Sequence, residues 1–408
     1  MTNETSTAPA PKASTTGSPT THCQACGEQA LDGFYSLPKV PVHSCLMVAS
    51  KEAAVEFPAG KLDLAVCTSC GFIQNRAYDP SLQNYSPDYE ETQGFSGTFR
   101  KFQTQLCQDQ VARYGLGDKL MLEIGCGKGE FLTELCEISG GRGIGIDPGY
   151  RPERNDSEAA ERIEFRNEFY APGHASLRAD YIACRHTLEH IGDVREFMNT
   201  VAESVAGRDD AILFFELPGT ERILEERAFW DLYYEHCSYF TLGSLARLFR
   251  RHGFELVDLY KGYEDQYLLI EAKTGDPTKG RTFDAEGDLA ATLASVQSFK
   301  SAIEEKFRGL RADLDEAASR GPVVLWGSGS KAVSYLTTLG IGDQVHSVVD
   351  INPHKHGKFL AGTGHEIIAP EALQDIQPAH VLIMNPIYVD EITRDIHAMG
   401  LSPSIAAL

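Results

Sequence analysis

At 408 residues, with 42% hydrophobic and 23% charged residues, the chain is long enough for two or three buried cores and has the composition of a soluble globular protein. Its 58 acidic residues against 37 basic ones leave a net charge of -21, which repels phosphate backbones and anionic lipid and argues against general nucleic-acid or membrane binding. No apolar run approaches the roughly 18 residues that a bilayer span requires.

In chain order, residues 1–21 are rich in Thr, Ser, Pro and Ala and lack the apolar centre of a signal peptide, which predicts a disordered leader and a cytoplasmic protein. Residues 22–75 form a short, turn-rich block with little apolar sequence for a core of its own. CQAC and CTSC frame it, so Cys23, Cys26, Cys67 and Cys70 form two CxxC pairs. Four thiolates so spaced can close tetrahedrally on one Zn2+ and leave no open position, which predicts a structural zinc-binding domain. Four unrelated buried thiols are the competing reading, and they leave this block without a staple.

Residues 76–275 alternate short β-rich runs (LMLEIG, GIGID, DYIAC, AILFFELP) with helical stretches such as Glu130 to Ser139 and Ser244 to His252. That alternation is the pattern of a doubly wound α/β sheet. Across 276–320, Leu289, Leu293, Val296, Phe299, Ile303, Phe307 and Leu310 recur at helical spacing, which predicts one or two linking helices. From 321 to 408, PVVLWG, HSVVDINP and HVLIMNP read as buried strands of a smaller, Rossmann-like α/β domain.

The chemistry concentrates in the middle block. LEIGCGKG, Leu122 to Gly129, is a strand entering a glycine turn and then a helix, where absent side chains let backbone approach a ligand at a helix N-terminus. Asp147 ends the next strand, where an acid can take both hydroxyls of a ribose. Asn167, Glu168 and Phe169 follow the third strand, at the edge where an adenine can be reached, although simple turn residues fit equally. A nicotinamide dinucleotide site fits less well, because ExGxGxG departs from GxGxxG spacing. Further on, FWDLYYEHCSYFT places Tyr233, Glu235 and His236 together after a strand. A neutral imidazole there can remove a proton, while a phenol and a carboxyl group orient developing oxyanion charge; a buried structural pair is the alternative.

LEIGCGKG, GIDP and CRHTLEHI resemble the successive motifs of class I S-adenosylmethionine (SAM)-dependent methyltransferases, in which the glycines face the methionine part and the acid faces the ribose. The cofactor-binding candidates are Glu123, Gly125, Cys126, Gly127, Asp147, Pro148, Glu168, Phe169 and Arg185. FWDLYYEHCSYFT in turn resembles the YHEHxSYF signature of three-domain sugar C-methyltransferases, which also carry a leading CxxC domain and a trailing WGxGxKxxxxL and VVDxNPxKxG block, here LWGSGSKAVSYL and VVDINPHKHG. The resemblance spans about residues 22 to 395. It implies SAM as cofactor, a nucleotide-linked keto-sugar as substrate, and an imidazole that forms an enolate, with His236 as base and Tyr233, Glu235 and His190 around it. It also places a tyrosine over the site, for which Tyr85 and Tyr89 are the candidates. Lys331, Asn352, Lys355 and Lys358 are candidate diphosphate contacts, or ordinary solvated residues.

Two departures bear on the acceptor. The family's HGGSLR is YEDQYLLIEA here, with Glu264, Asp265 and Gln266 in place of small residues, and Tyr234 stands where the family often has histidine. The reading is therefore carbon methylation of a nucleotide-linked deoxy-keto-sugar. The alternatives are O- or N-methylation of a sugar or other small metabolite, and a noncatalytic SAM- and zinc-binding scaffold.

Overall fold

The computed structural model describes residues 20–46, 48–83 and 89–408, so nearly all of the leader, and Tyr85, lie outside the described residues. In chain order the elements are β1 Leu31–Pro41, α1 Lys51–Val55, β2 Ala59–Cys67, β3 Ile73–Asn75, α2 Gly97–Tyr114, β4 Leu120–Ile124, α3 Glu130–Ser139, β5 Arg142–Ile146, β6 Ile163–Arg166 and β7 Tyr181–Arg185. Then come α4 Val194–Ser204, β8 Ile212–Pro218, α5 Thr220–Glu226, β9 Ser238–Tyr239, α6 Leu242–Arg251, β10 Phe254–Gly262, β11 Tyr267–Thr274 and α7 Leu289–Ser319. The last are β12 Val323–Trp326, α8 Ser330–Leu339, β13 Ser347–Val349, β14 Ile367–Ile368, α9 Leu373–Ile376, β15 His380–Ile383, α10 Val389–Ala398 and β16 Ser404–Ala407.

The strands form three sheets: β1-β2-β3-β9, β10-β11-β8-β7-β4-β5-β6 and β14-β13-β12-β15-β16. In the seven-stranded sheet β4 pairs in parallel with β5 on one side and β7 on the other, and β11 closes antiparallel on β8. In the five-stranded sheet β12 pairs in parallel with β13 and β15. Each sheet therefore reverses its winding at its first strand, and a crevice opens at the carboxyl end of that strand. The two glycine turns, LEIGCGKG after β4 and LWGSGSK after β12, sit at these two crevices.

Local sequence explains the elements that matter for the site. Helix α3 starts from Gly129 at φ 81° and stops at Gly140 at φ 75°, left-handed conformations that favour glycine. Helix α6 begins at Thr241, whose hydroxyl accepts the Ser244 N–H while the Ser244 hydroxyl accepts the Thr241 N–H. Residues 289–319 form a single 31-residue helix, α7, that buries Val296, Phe299, Ile303, Phe307 and Leu314. Phe299 meets Phe34 and Tyr35 edge-on at 5.9 and 5.5 Å, and Phe307 meets Phe229 at 4.7 Å. One apolar core thus runs from β1 through α7 to Tyr335 of α8. Truncating a ring such as Phe307 to alanine is worth about 3–5 kcal/mol. Strand β9, from the aromatic segment, is the fourth strand of the first sheet: Tyr239 pairs with Ile73 and Ser238 with Gln74. No described helix is long and apolar enough to cross a membrane.

Candidate functional site

A cavity of about 1300 Å³ opens where the carboxyl ends of the seven- and five-stranded sheets face each other. Of the cofactor candidates, Glu123, Gly125, Cys126, Gly127, Asp147, Pro148, Glu168, Phe169 and Arg185 all line it. The turn after β4 needs its glycines: Gly125 sits at φ 71°, and a Cβ there would run into the Thr187 side chain. Asp147 accepts the Gly127 N–H at 2.9 Å and the Gly149 N–H at 2.6 Å, which fixes its carboxylate beside the turn. Glu123 accepts the Leu132 N–H at 3.1 Å, and burial pushes its carboxyl up to about 8. Glu168 and Phe169 lie on an exposed rim, Phe169 at 56%. Asn167 is turned away and donates to the Tyr150 carbonyl at 2.7 Å. Arg185 is committed to structure: it pairs with Glu216 at 2.8 Å and lies 4.2 Å over the Phe131 ring.

Across the cavity, His236 stands 4.7 Å from His190 and 4.2 Å from Tyr233, ring to ring. Burial, reinforced by the charges of His190, His186 and Lys331, holds the His236 imidazole well below its ordinary value, so it is neutral near pH 7. Burial also keeps the Tyr233 phenol protonated. His236, His190 and Tyr233 all line the cavity, but Glu235 does not. Its carboxylate, 1% exposed, faces backwards and accepts from the Ser44 N–H at 3.1 Å, the Ser44 hydroxyl, His43 Nδ1 at 3.2 Å and the Tyr89 hydroxyl at 3.0 Å. Burial alone would raise it; the bond from His43, the charge of His190 and the bond from Ser44 keep Glu235 below the usual carboxylate range. Tyr234, at the position of the family's histidine, is buried against the first sheet, where its hydroxyl accepts the Asp79 N–H at 2.8 Å.

Three groups at the cavity, His186, Glu189 and Lys128, escape sequence reasoning. His186, at φ 46°, lies between Glu216 at 2.9 Å and Glu189 at 3.7 Å. Against the cost of burial, these two carboxylates raise it to about 9, so it is a cation at neutral pH. Glu189 is 3% exposed and its Oε1 stands 4.0 Å from His236 Nε2. Lys128 donates to the Tyr89 carbonyl at 3.0 Å and to the Gly149 carbonyl at 3.2 Å, tying Tyr89 to the glycine turn. His186 and Glu189 both belong to CRHTLEHI, and Glu216 is the single acid in the strand ILFFELP; those were the available signals. His43 and Ser44 carry none, because they meet Glu235 across about 190 positions of chain.

The four cysteines of the first block converge: Cys23 Sγ lies 3.6 Å from Cys70 Sγ, Cys26 Sγ lies 3.6 Å from Cys67 Sγ, and all four lie within 4.8 Å of one another. Zinc–sulfur bonds of about 2.3 Å would place tetrahedral sulfurs roughly 3.8 Å apart, so the spacing fits one zinc ion. Around the five-stranded sheet, Lys331 of α8 is paired with Asp231, Lys355 with Asp350 at 3.5 Å, and Asn352 donates to Glu90 at 3.0 Å. Lys331, Asn352 and Lys355 line the cavity and Lys358 does not.

Residues 99–259 match the methyltransferase domain family, and residues 276–401 match the C-methyltransferase C-terminal domain family. Over 404 residues the chain is 27% identical to the C-methyltransferase NovU of Streptomyces niveus, covering 92% of this chain and 91% of that protein. A stretch of 96 residues is 33% identical to a ubiquinone biosynthesis O-methyltransferase of Pseudoalteromonas translucida (strain TAC 125), covering 22% of this chain and 40% of that protein. Among solved structures, the 1,6-didemethyltoxoflavin-N1-methyltransferase of Burkholderia thailandensis is 18% identical with a TM-score of 0.35, over 44% of this chain and 82% of that one.

Proposed function

Because the chain is a SAM-dependent methyltransferase that carries a C-methyltransferase C-terminal domain, we propose that it methylates the carbon next to the ketone of a nucleotide-linked deoxy-keto-sugar. The observation that carries this reading is a neutral, buried imidazole, His236, on the wall of the same cavity as the glycine turn and Asp147.

An sp³ carbon beside a ketone is no nucleophile until it loses a proton. His236 accepts that proton and becomes an imidazolium, whose charge the Glu189 carboxylate, 4.0 Å away, stabilises. The two electrons of the broken C–H bond delocalise onto the ketone oxygen. The protonated phenol of Tyr233 donates to that enolate oxygen, and the cationic His186 on the cavity wall adds a favourable field. SAM, when bound, supplies an electrophilic methyl group on a sulfonium. Asp147 and the glycine turn would hold its ribose and methionine parts beside the reacting carbon; the new C–C bond forms as the S–CH3 bond breaks, S-adenosylhomocysteine leaves, and His236 returns its proton to solvent. Glu235 touches no reacting atom in this scheme; it is a positioning residue that anchors Tyr89 and the His43–Ser44 segment beside His236.

The thiol cluster takes a structural Zn2+. It holds the first sheet, and through the β3–β9 pairing it holds the segment that carries His236. Solvent deuterium exchange at the acceptor carbon, lost in His236→Ala, tests the reaction.

A further inference from the structure

The turn between β10 and β11 closes one side of the cavity in an unusual way. Tyr263, Glu264 and Asp265, none of them glycine, all take left-handed conformations, at φ 52°, 53° and 61°. Such conformations are strained for residues that carry a Cβ and persist only where their surroundings over-determine them. The surroundings here come from both the seven-stranded and the five-stranded units. Tyr263 donates to the Tyr388 hydroxyl at 2.7 Å and stacks on Tyr267 at 4.9 Å. Gln266 and Asn385 exchange two amide hydrogen bonds, Nε2 to Oδ1 at 3.1 Å and Nδ2 to Oε1 at 3.0 Å.

Gln266, Asn385, Tyr267, Tyr388 and Gln93 all line the cavity. Each primary amide has two N–H donors and an oxygen with two lone pairs. Asn385 Oδ1 takes a second bond from the Ile387 N–H at 3.2 Å, so the mutual pairing leaves one N–H on each amide and one lone pair on Gln266. The two amides offer neutral donors and an acceptor. The cations elsewhere on the lining are held by carboxylates: Lys331 and Arg222 by Asp231, Lys355 by Asp350, Arg185 and His186 by Glu216, and Lys128 by Glu91. A group that both donates and accepts without charge, a sugar hydroxyl, matches these amides; a phosphate or carboxylate does not.

We propose that the Gln266–Asn385 amide pair is the specificity element for the acceptor, reading a ring hydroxyl of a neutral sugar. The proposal rests on the acceptor class given above. Because Gln266 belongs to the methyltransferase fold and Asn385 to the five-stranded unit, the pair reads the acceptor only when the two are docked.

The test uses the full chain with SAM and nucleoside-diphosphate-linked 4-keto-6-deoxyhexoses that carry or lack the hydroxyl at C2 and at C3, scored by kcat and KM. The native chain should prefer one hydroxylated probe over its deoxy partner by about tenfold or more in kcat/KM. Gln266→Leu should reduce that preference to within about threefold, through KM with kcat little changed. The double swap Gln266→Asn with Asn385→Gln, which keeps an amide pair, should restore it and guards against a folding defect. Equal use of every probe pair by the native chain, or an unaltered preference in Gln266→Leu, overturns the proposal alone. A native chain that binds SAM calorimetrically but methylates none of the probes overturns the acceptor class and this proposal with it.

Discussion

The Tyr89 hydroxyl donates to Glu235 at 3.0 Å, and 146 positions of chain separate the two residues. Since Lys128 holds the Tyr89 carbonyl against the glycine turn, this contact links the cofactor turn to the segment that carries His236. Removing it should separate rate from affinity. A hydrogen bond to a charged group is worth about 1.5–3 kcal/mol, so Tyr89→Phe and Glu235→Gln should lower kcat by roughly 10- to 100-fold while the SAM Kd stays within about twofold. Stopped-time methyl transfer alongside calorimetry checks the split.

Asp147 is already oriented by two backbone N–H groups, so its carboxylate pays little to meet a ribose. Asp147→Ala should weaken SAM by about 10- to 100-fold with no loss of melting temperature beyond a few degrees, measured by calorimetry and thermal unfolding.

His186 makes stability depend on alkaline pH. Its folded value is about 9, raised above the roughly 6.5 of an unfolded chain by Glu189 and Glu216. The stabilisation is therefore complete below about pH 6.5 and is lost as pH rises through about 9. The denaturation midpoint should fall between pH 7 and pH 10, and His186→Gln should flatten that slope.

The zinc reading predicts one equivalent of metal per chain by elemental analysis. Chelation, or Cys70→Ser, should remove the metal and also abolish methyl transfer, although the thiols lie outside the cavity. The route is mechanical: β3 borders β2, which ends in Cys67, and pairs with β9, which starts two residues after His236. Retention of full activity by a metal-free chain would break that link.

What the sequence disclosed depends on how local each feature is. The glycine turn, Asp147 and the two CxxC pairs are read within one strand and turn, and the parallel strands of the seven- and five-stranded sheets follow from the alternation of apolar runs with helical stretches, whereas the antiparallel β10–β11 edge does not. The aromatic segment announced Tyr233, Glu235 and His236 as a group but not their division, in which His236 faces the cavity and Glu235 faces His43 and Ser44. That division depends on long-range packing, as does the recruitment of Ser238 and Tyr239 into the first sheet. Of the two tyrosine candidates, Tyr89 is the one the described residues bring to Glu235, while Tyr85 lies outside them. The cation expectation for the last unit changes most: a lysine in a loop reads as free until its carboxylate partner, Asp231 for Lys331, is known.

Carbon methylation through proton removal by His236 is open to one direct measurement. Incubation with SAM and nucleotide-linked 4-keto-deoxysugars in deuterated water, followed by mass spectrometry and NMR, reads both halves at once. A new carbon-bound methyl group should form, and carbon-bound deuterium should accumulate without methyl transfer when SAM is replaced by S-adenosylhomocysteine, both being lost in His236→Ala. A methyl group found on oxygen or nitrogen, or full exchange and transfer in His236→Ala, would contradict this mechanism.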